Sequence, residues 1–132
     1  MYEFHGWFGI SEDPYEDDAR SLKAGVEELR ARIDAVRWGS SCKVALDVFN
    51  GLDVVTATGH TNHVGYEAGQ LDELLAYIAR RFPGSWGMLY DRSDDGDIPN
   101  ADNAFRVRVM RRGMIEERLD PFLSPCSPVI ED

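Results

Sequence analysis

The 132-residue sequence predicts an α+β fold: a mostly antiparallel sheet with two helices packed on one of its faces. Three observations carry that expectation. Two stretches repeat their apolar residues at the 3–4 spacing of a helix face, several others alternate with the period of two of a strand, and tight-turn dipeptides join neighbouring strands. In the order β-α-β-β-α-β-β-β, the tight turns between neighbouring strands imply a mostly antiparallel sheet. Domain 1–132 reads as a single unit, with no repeat, linker or low-complexity tract, and ends in an irregular tail over 120–132.

Each element has a local cause. Residues Tyr2 to Ile10 are rich in aromatics and read as a strand. The polar run Ser11 to Asp18 follows, with Asp13-Pro14 suited to N-cap and first-turn positions and its acids suited to the positive end of a helix dipole. Leu22, Val26, Leu29, Ile33 and Val36 form one apolar stripe, and Gly39 is placed to end that helix. Cys42, Val44, Leu46 and Val48 then share a strand face. Asn50-Gly51 supplies a type I′ turn, and Leu52 to Thr58 returns antiparallel. A loop from Gly59 to His63 leads to a second helix carrying Leu71, Leu74, Leu75, Ile78 and Phe82, stopped by Pro83-Gly84. Short strands follow at Trp86–Tyr90, Ala104–Met110 and Met114–Glu117, the last two joined through Arg112-Gly113. Along the middle one, Phe105, Val107 and Val109 face one way, and Arg106 and Arg108 the other. Pro121, Pro125 and Pro128 keep the tail irregular.

Charge narrows the partner class. The chain has 24 acidic and 14 basic residues, a net charge of −10 and a pI near 4.6. It therefore lacks the basic surface that nucleic acids and anionic membranes require, whereas a basic macromolecular partner suits it. The acid is concentrated in three segments. Residues 1–19 hold six acids and no base, and 91–102 and 114–132 each hold five acids and one base, so the remainder is net basic. Glu12, Asp13, Glu16, Asp17, Asp18, Asp94, Asp95 and Asp97 are accordingly the candidate partner-facing residues, against the alternative that they cap a helix and maintain solubility. The first ten residues have no basic n-region or apolar h-region, and no apolar stretch reaches a spanning length, which predicts a cytoplasmic chain. Cys42 and Cys126, far apart, read as two free thiols.

Catalytic signatures are lacking: the sequence has no phosphate-binding loop, dinucleotide fingerprint, nucleophile elbow or H-E-x-x-H. Two weaker patterns could hold a metal. His60 and His63 stand three apart in a Gly-bounded loop, without a third ligand at a telling distance. Asp91 to Asp102 places oxygen ligands at positions one, three and five and Gly at six, near the spacing of a calcium loop, but has Asp where a bidentate Glu is expected and strand-like flanks. A solvated acidic hairpin loop explains the same residues, and no cofactor is expected. Trp7 and Trp86 lie in strand-like runs and read as core, while Trp38, at a helix end, fits core or interface equally.

Several short motifs, in order along nearly the whole chain, form a recognisable set: His5-Gly6-Trp7, Asn62-His63, Pro83-Gly84-Ser85-Trp86-Gly87, Arg112-Gly113, Phe122-Leu123-Ser124-Pro125-Cys126 and Ile130-Glu131-Asp132. This set resembles the immunity protein 7 family of bacterial polymorphic toxin systems, which is distinct from the small all-helical immunity protein of a similarly named colicin. The resemblance implies an α+β protein that is not an enzyme and that neutralises a cognate toxin, often a nuclease, by direct binding. It supplies no catalytic residues.

Overall fold

A computed structural model describes residues 1–96, 98 and 103–128. Its first strand, β1 (Tyr2–Gly9), shows the strand period plainly: Tyr2, Phe4 and Phe8 turn into the core, with Ile10 just beyond, while Glu3, His5 and Trp7 turn away. Helix α1 (Ala19–Asp34) begins five residues later than the Asp13-Pro14 pair expected to cap and open it. The cap is Asp18, whose carboxylate accepts from the backbone N–H of Arg20 and Ser21, both at 3.0 Å. It also ends before Gly39, leaving Val36 outside, because the chain turns in after Asp34 and the Trp38 indole N–H donates to the freed Ile33 carbonyl at 3.2 Å.

The hairpin of β2 (Cys42–Phe49) and β3 (Leu52–Thr61) closes through Asn50 and Gly51, both at positive φ (51° and 80°), the geometry of a type I′ turn. Strand β3 runs through the residues expected to be a loop, since Gly59, His60 and Thr61 pair with Phe4, Glu3 and Tyr2. Helix α2 (Tyr66–Arg81) buries Leu71, Leu74, Leu75 and Ile78 as its spacing predicts. Strand β4 (Trp86–Ser93) is likewise longer than expected, because it pairs with β1 along its whole length, from Gly9↔Trp86 to Tyr2↔Ser93. A second hairpin, β5 (Arg106–Arg111) and β6 (Met114–Leu119), turns at Arg112-Gly113, again with positive φ at both positions. Residues 120–128 contain no helix or strand.

The six strands form one antiparallel sheet in the order β2-β3-β1-β4-β5-β6, with the predicted α+β element order. Both helices lie on one face, where Val26, Leu29, Ile33, Leu71, Leu75 and Ile78 join Phe4, Phe8, Val55 and Leu89 in a single core. The alternation in β5 holds, but the faces are the reverse of what hydrophobicity suggests. Arg106 and Arg108 turn toward the helices with Met110, and Val107 and Val109 turn away. The cause lies on the neighbouring strands: Asp91, 0% exposed and opposite Arg106, supplies the charge that makes two inward guanidiniums tolerable.

Candidate functional site

The helices cover one face of the sheet, and among the described residues no helix covers the other. That open face carries the outward residues of β1, β4 and β5. Trp7, opposite Met88, stacks on Tyr90 with ring centroids 6.3 Å apart and planes 20° from parallel. Tyr90 meets Phe105 edge-on at 6.3 Å, and Phe105 meets His5 at 6.4 Å. At the other end the six-membered ring of Trp86 lies over Gly9, in space that any Cβ at position 9 would take. The result is a stripe of aromatic rings across the two central strands. Trp7 is 43% and Trp86 48% exposed, so neither is the core residue its strand-like setting suggested, whereas Trp38 does pack against the core.

A groove of about 320 Å³ extends the stripe between His5, Tyr90 and Phe105 on one side and Asp120, Phe122 and Leu123 on the other. The Asp120 carboxylate accepts from the backbone N–H of Phe122 (3.2 Å) and Leu123 (2.6 Å), and its carbonyl accepts from the Ser124 hydroxyl. This fixes a local turn that holds the Phe122 ring 90% exposed at the mouth of the groove. Beside it, the Glu3 carboxylate binds His5 Nε2 (2.6 Å) and Arg92 Nε (2.8 Å), and His60 Nε2 lies 3.4 Å away. Burial raises the pKa of Glu3, but the bonds from His5 and Arg92 outweigh it and leave the carboxyl below its ordinary value.

The metal patterns are not assembled as the spacing suggested. His60 turns to Glu3 and His63 to Asp95, so the two histidines address different carboxylates. Positions one and three of the calcium-like segment, Asp91 and Ser93, are buried strand residues rather than loop residues. Asp91 already accepts from Arg106 Nε (2.9 Å) and Nη2 (2.6 Å), Arg108 Nη2 (3.2 Å) and the Tyr2 hydroxyl (2.7 Å). Two cations beside it oppose a third. Asp102 of that segment lies outside the described residues, and among those described no three His, Cys, Asp or Glu side chains form a metal-binding group.

Seven of the eight acidic candidates fall into two groups. Glu12, Asp13, Glu16, Asp17 and Asp18 lie in the loop after β1, next to the start of β4, whereas Asp94 and Asp95 lie beyond the end of β4, beside the terminal amine of Met1. Asp97 is outside the described residues. The length of an eight-residue strand pair, about 26 Å, separates the groups. Several of these carboxylates also have internal work. Asp17 accepts from Ser11 Oγ and the N–H of Glu12 and Asp13, Asp13 from the N–H of Tyr15, and Glu12 from Arg81 and Ser21. Asp18 caps α1. Glu16, Asp94 and Asp95 are exposed.

Both cysteines are free thiols, and no helix among the described residues is long and apolar enough to cross a membrane. Sequence reasoning missed Trp7, Trp86 and Phe122 as exposed residues. The period of β1 was the available signal, since an inward Phe4 and Phe8 put Trp7 outward. No curated protein and no solved structure matches the chain. A family model does, from residue 1 to residue 132, and the description it carries is immunity protein 7. Matched over its whole length, this α+β chain belongs to the immunity protein 7 family, a family of immunity proteins.

Proposed function

We propose that this chain neutralises a cognate toxin of a bacterial polymorphic toxin system by binding it directly in the cytoplasm, without chemistry of its own, and that the toxin is a nuclease. Membership of an immunity family supplies the general role. The observation that favours direct binding of a basic protein is the charge placement. A chain of net charge −10 sets acidic segments at both ends of its central strand pair. A nuclease binds phosphates through a basic surface, and an acidic inhibitor is steered to that surface and competes for it. Glu12, Asp13, Glu16, Asp17, Asp18, Asp94, Asp95 and Asp97 supply the steering field, with Asp13, Glu16, Asp18, Asp94 and Asp95 among its exposed members.

Co-expression with the C-terminal toxin domain encoded next to this chain tests the reading. Growth rescue with copurification is expected, and rescue without copurification counts against direct inhibition. The steering role has its own measurement. In Glu16→Lys/Asp95→Lys the association rate at low salt is expected to fall about tenfold and its salt dependence to flatten, with dissociation little changed. An unaltered rate and salt slope would remove the acidic segments from the mechanism.

A further inference from the structure

We propose that the aromatic stripe of the open sheet face, anchored by Trp7 and Trp86, is the desolvated centre of the contact with the toxin. Its occupant is an apolar segment of the toxin within a basic surround. This rests on the direct-binding reading above and adds to it the surface and the chemistry of the segment received.

Four observations converge on that face. Its central strands carry two half-exposed tryptophans and a stacked tyrosine beside a groove ending at Phe122, whereas isolated exposed apolar residues would be unremarkable elsewhere. Trp and Tyr are the side chains that most often dominate the free energy of protein interfaces. The two tryptophan rings are already held, Trp7 by Tyr90 and Trp86 by the bare backbone at Gly9, so little of their rotamer freedom remains to be lost on binding. The strand pair beneath the stripe is about 26 Å long, which suits an interface burying about 800 Å² on each partner.

Charge selects the occupant. A second copy docked face to face about a two-fold axis would bring acid against acid. The Glu12–Asp18 segment stands at one end of the strand pair and Asp94–Asp95 at the other, so parallel and antiparallel arrangements both do so, between two chains of net charge −10. A basic partner meets attraction at both ends. The stripe then governs how long the complex lasts, and the acids govern how fast it forms.

Binding of the full chain to the toxin domain encoded beside it, measured by real-time kinetics, tests this. Trp7→Ala and Trp86→Ala are each expected to weaken affinity by roughly 30-fold or more, through faster dissociation, with the salt dependence of association preserved. Tyr66→Ala, a half-exposed aromatic on α2, is expected to stay within about threefold. The conservative Trp7→Phe and Trp86→Phe variants keep the packing, and their fluorescence assigns each indole. Both indoles of the native chain are expected to become protected from acrylamide quenching when the toxin binds. If the native chain does not bind the toxin, the direct-binding reading fails. If it binds, and both alanine variants bind within threefold with the indoles still quenched, this inference alone is overturned. A tryptophan-dependent dimer of the chain alone by sedimentation would make a second copy the occupant and overturn it as well.

Discussion

The two faces of the sheet invert the usual division between inside and outside. Under the helices, the β4–β5 end of the core contains Asp91, Arg106 and Arg108 joined to the Tyr2 hydroxyl, whereas the face without helices shows Trp7, Trp86, Tyr90 and Phe122. Burial therefore does not follow hydrophobicity here. Charges are buried where each has a partner within hydrogen-bonding distance, and aromatic rings remain at the surface on the face that no described helix covers. The first arrangement belongs to stability and the second to recognition.

Breaking the inner network has the largest expected effect. Asp91→Ala removes the one buried carboxylate shared by two guanidiniums, leaving them only the exposed Asp72 and Glu117, and should cost about 3–5 kcal/mol in urea unfolding. Asp72→Ala removes only the exposed partner of the same Arg108 and should cost under about 1 kcal/mol. Equal losses would show that the network does not behave as a buried unit.

Tyr2→Phe comes next, at about 2 kcal/mol near neutral pH, because a hydrogen bond to a buried carboxylate is lost. It also has a pH signature. Burial and the adjacent Asp91 both push the Tyr2 phenol above its ordinary value of about 10. The folded chain keeps that proton where the unfolded chain releases it, so the contribution is complete below about pH 10 and declines as pH rises further. Stability of Tyr2→Phe should fall less steeply than that of the native chain between about pH 10 and 12.

The outer face is expected to contribute little to stability. Trp7→Ala and Trp86→Ala should each change unfolding free energy by less than about 1.5 kcal/mol, since roughly half of each ring gives up little contact. A loss as large as that of Asp91→Ala would make the stripe a second core and blur the contrast between the faces.

What was legible in the sequence follows from how local its cause is. Both helices show their buried stripes in spacing alone, and Asn50-Gly51 and Arg112-Gly113 announce turns that only positive φ can make. The orientation of β5 was not legible in the same way. Alternation separates Arg106 and Arg108 from Val107 and Val109, but which set faces the helices depends on Asp91, a residue of another strand brought opposite by register. The extra lengths of β3 and β4 have the same origin, since their polar ends are strand only because β1 pairs with them. For the site, the acidic segments could be listed from the sequence. Their separation to opposite ends of one strand pair could not, because it follows from strand order.

That strand order also sets a clock. Strand β1 is the first to be synthesised, yet it lies inside the sheet between β3 and β4, and has no neighbour on either side until residues as late as Thr61 and Ser93 exist. At about 5–20 residues per second, roughly 4–15 s pass between the emergence of β1 and of its second partner. Until β3 emerges, Phe4 and Phe8 have no strand beside them. Pairings so distant in sequence also close slowly, on the scale of milliseconds to seconds once the chain is complete. The Trp7–Tyr90 stack and the rest of the open face exist only after β1 and β4 have joined, so the binding surface is among the last features of the molecule to form.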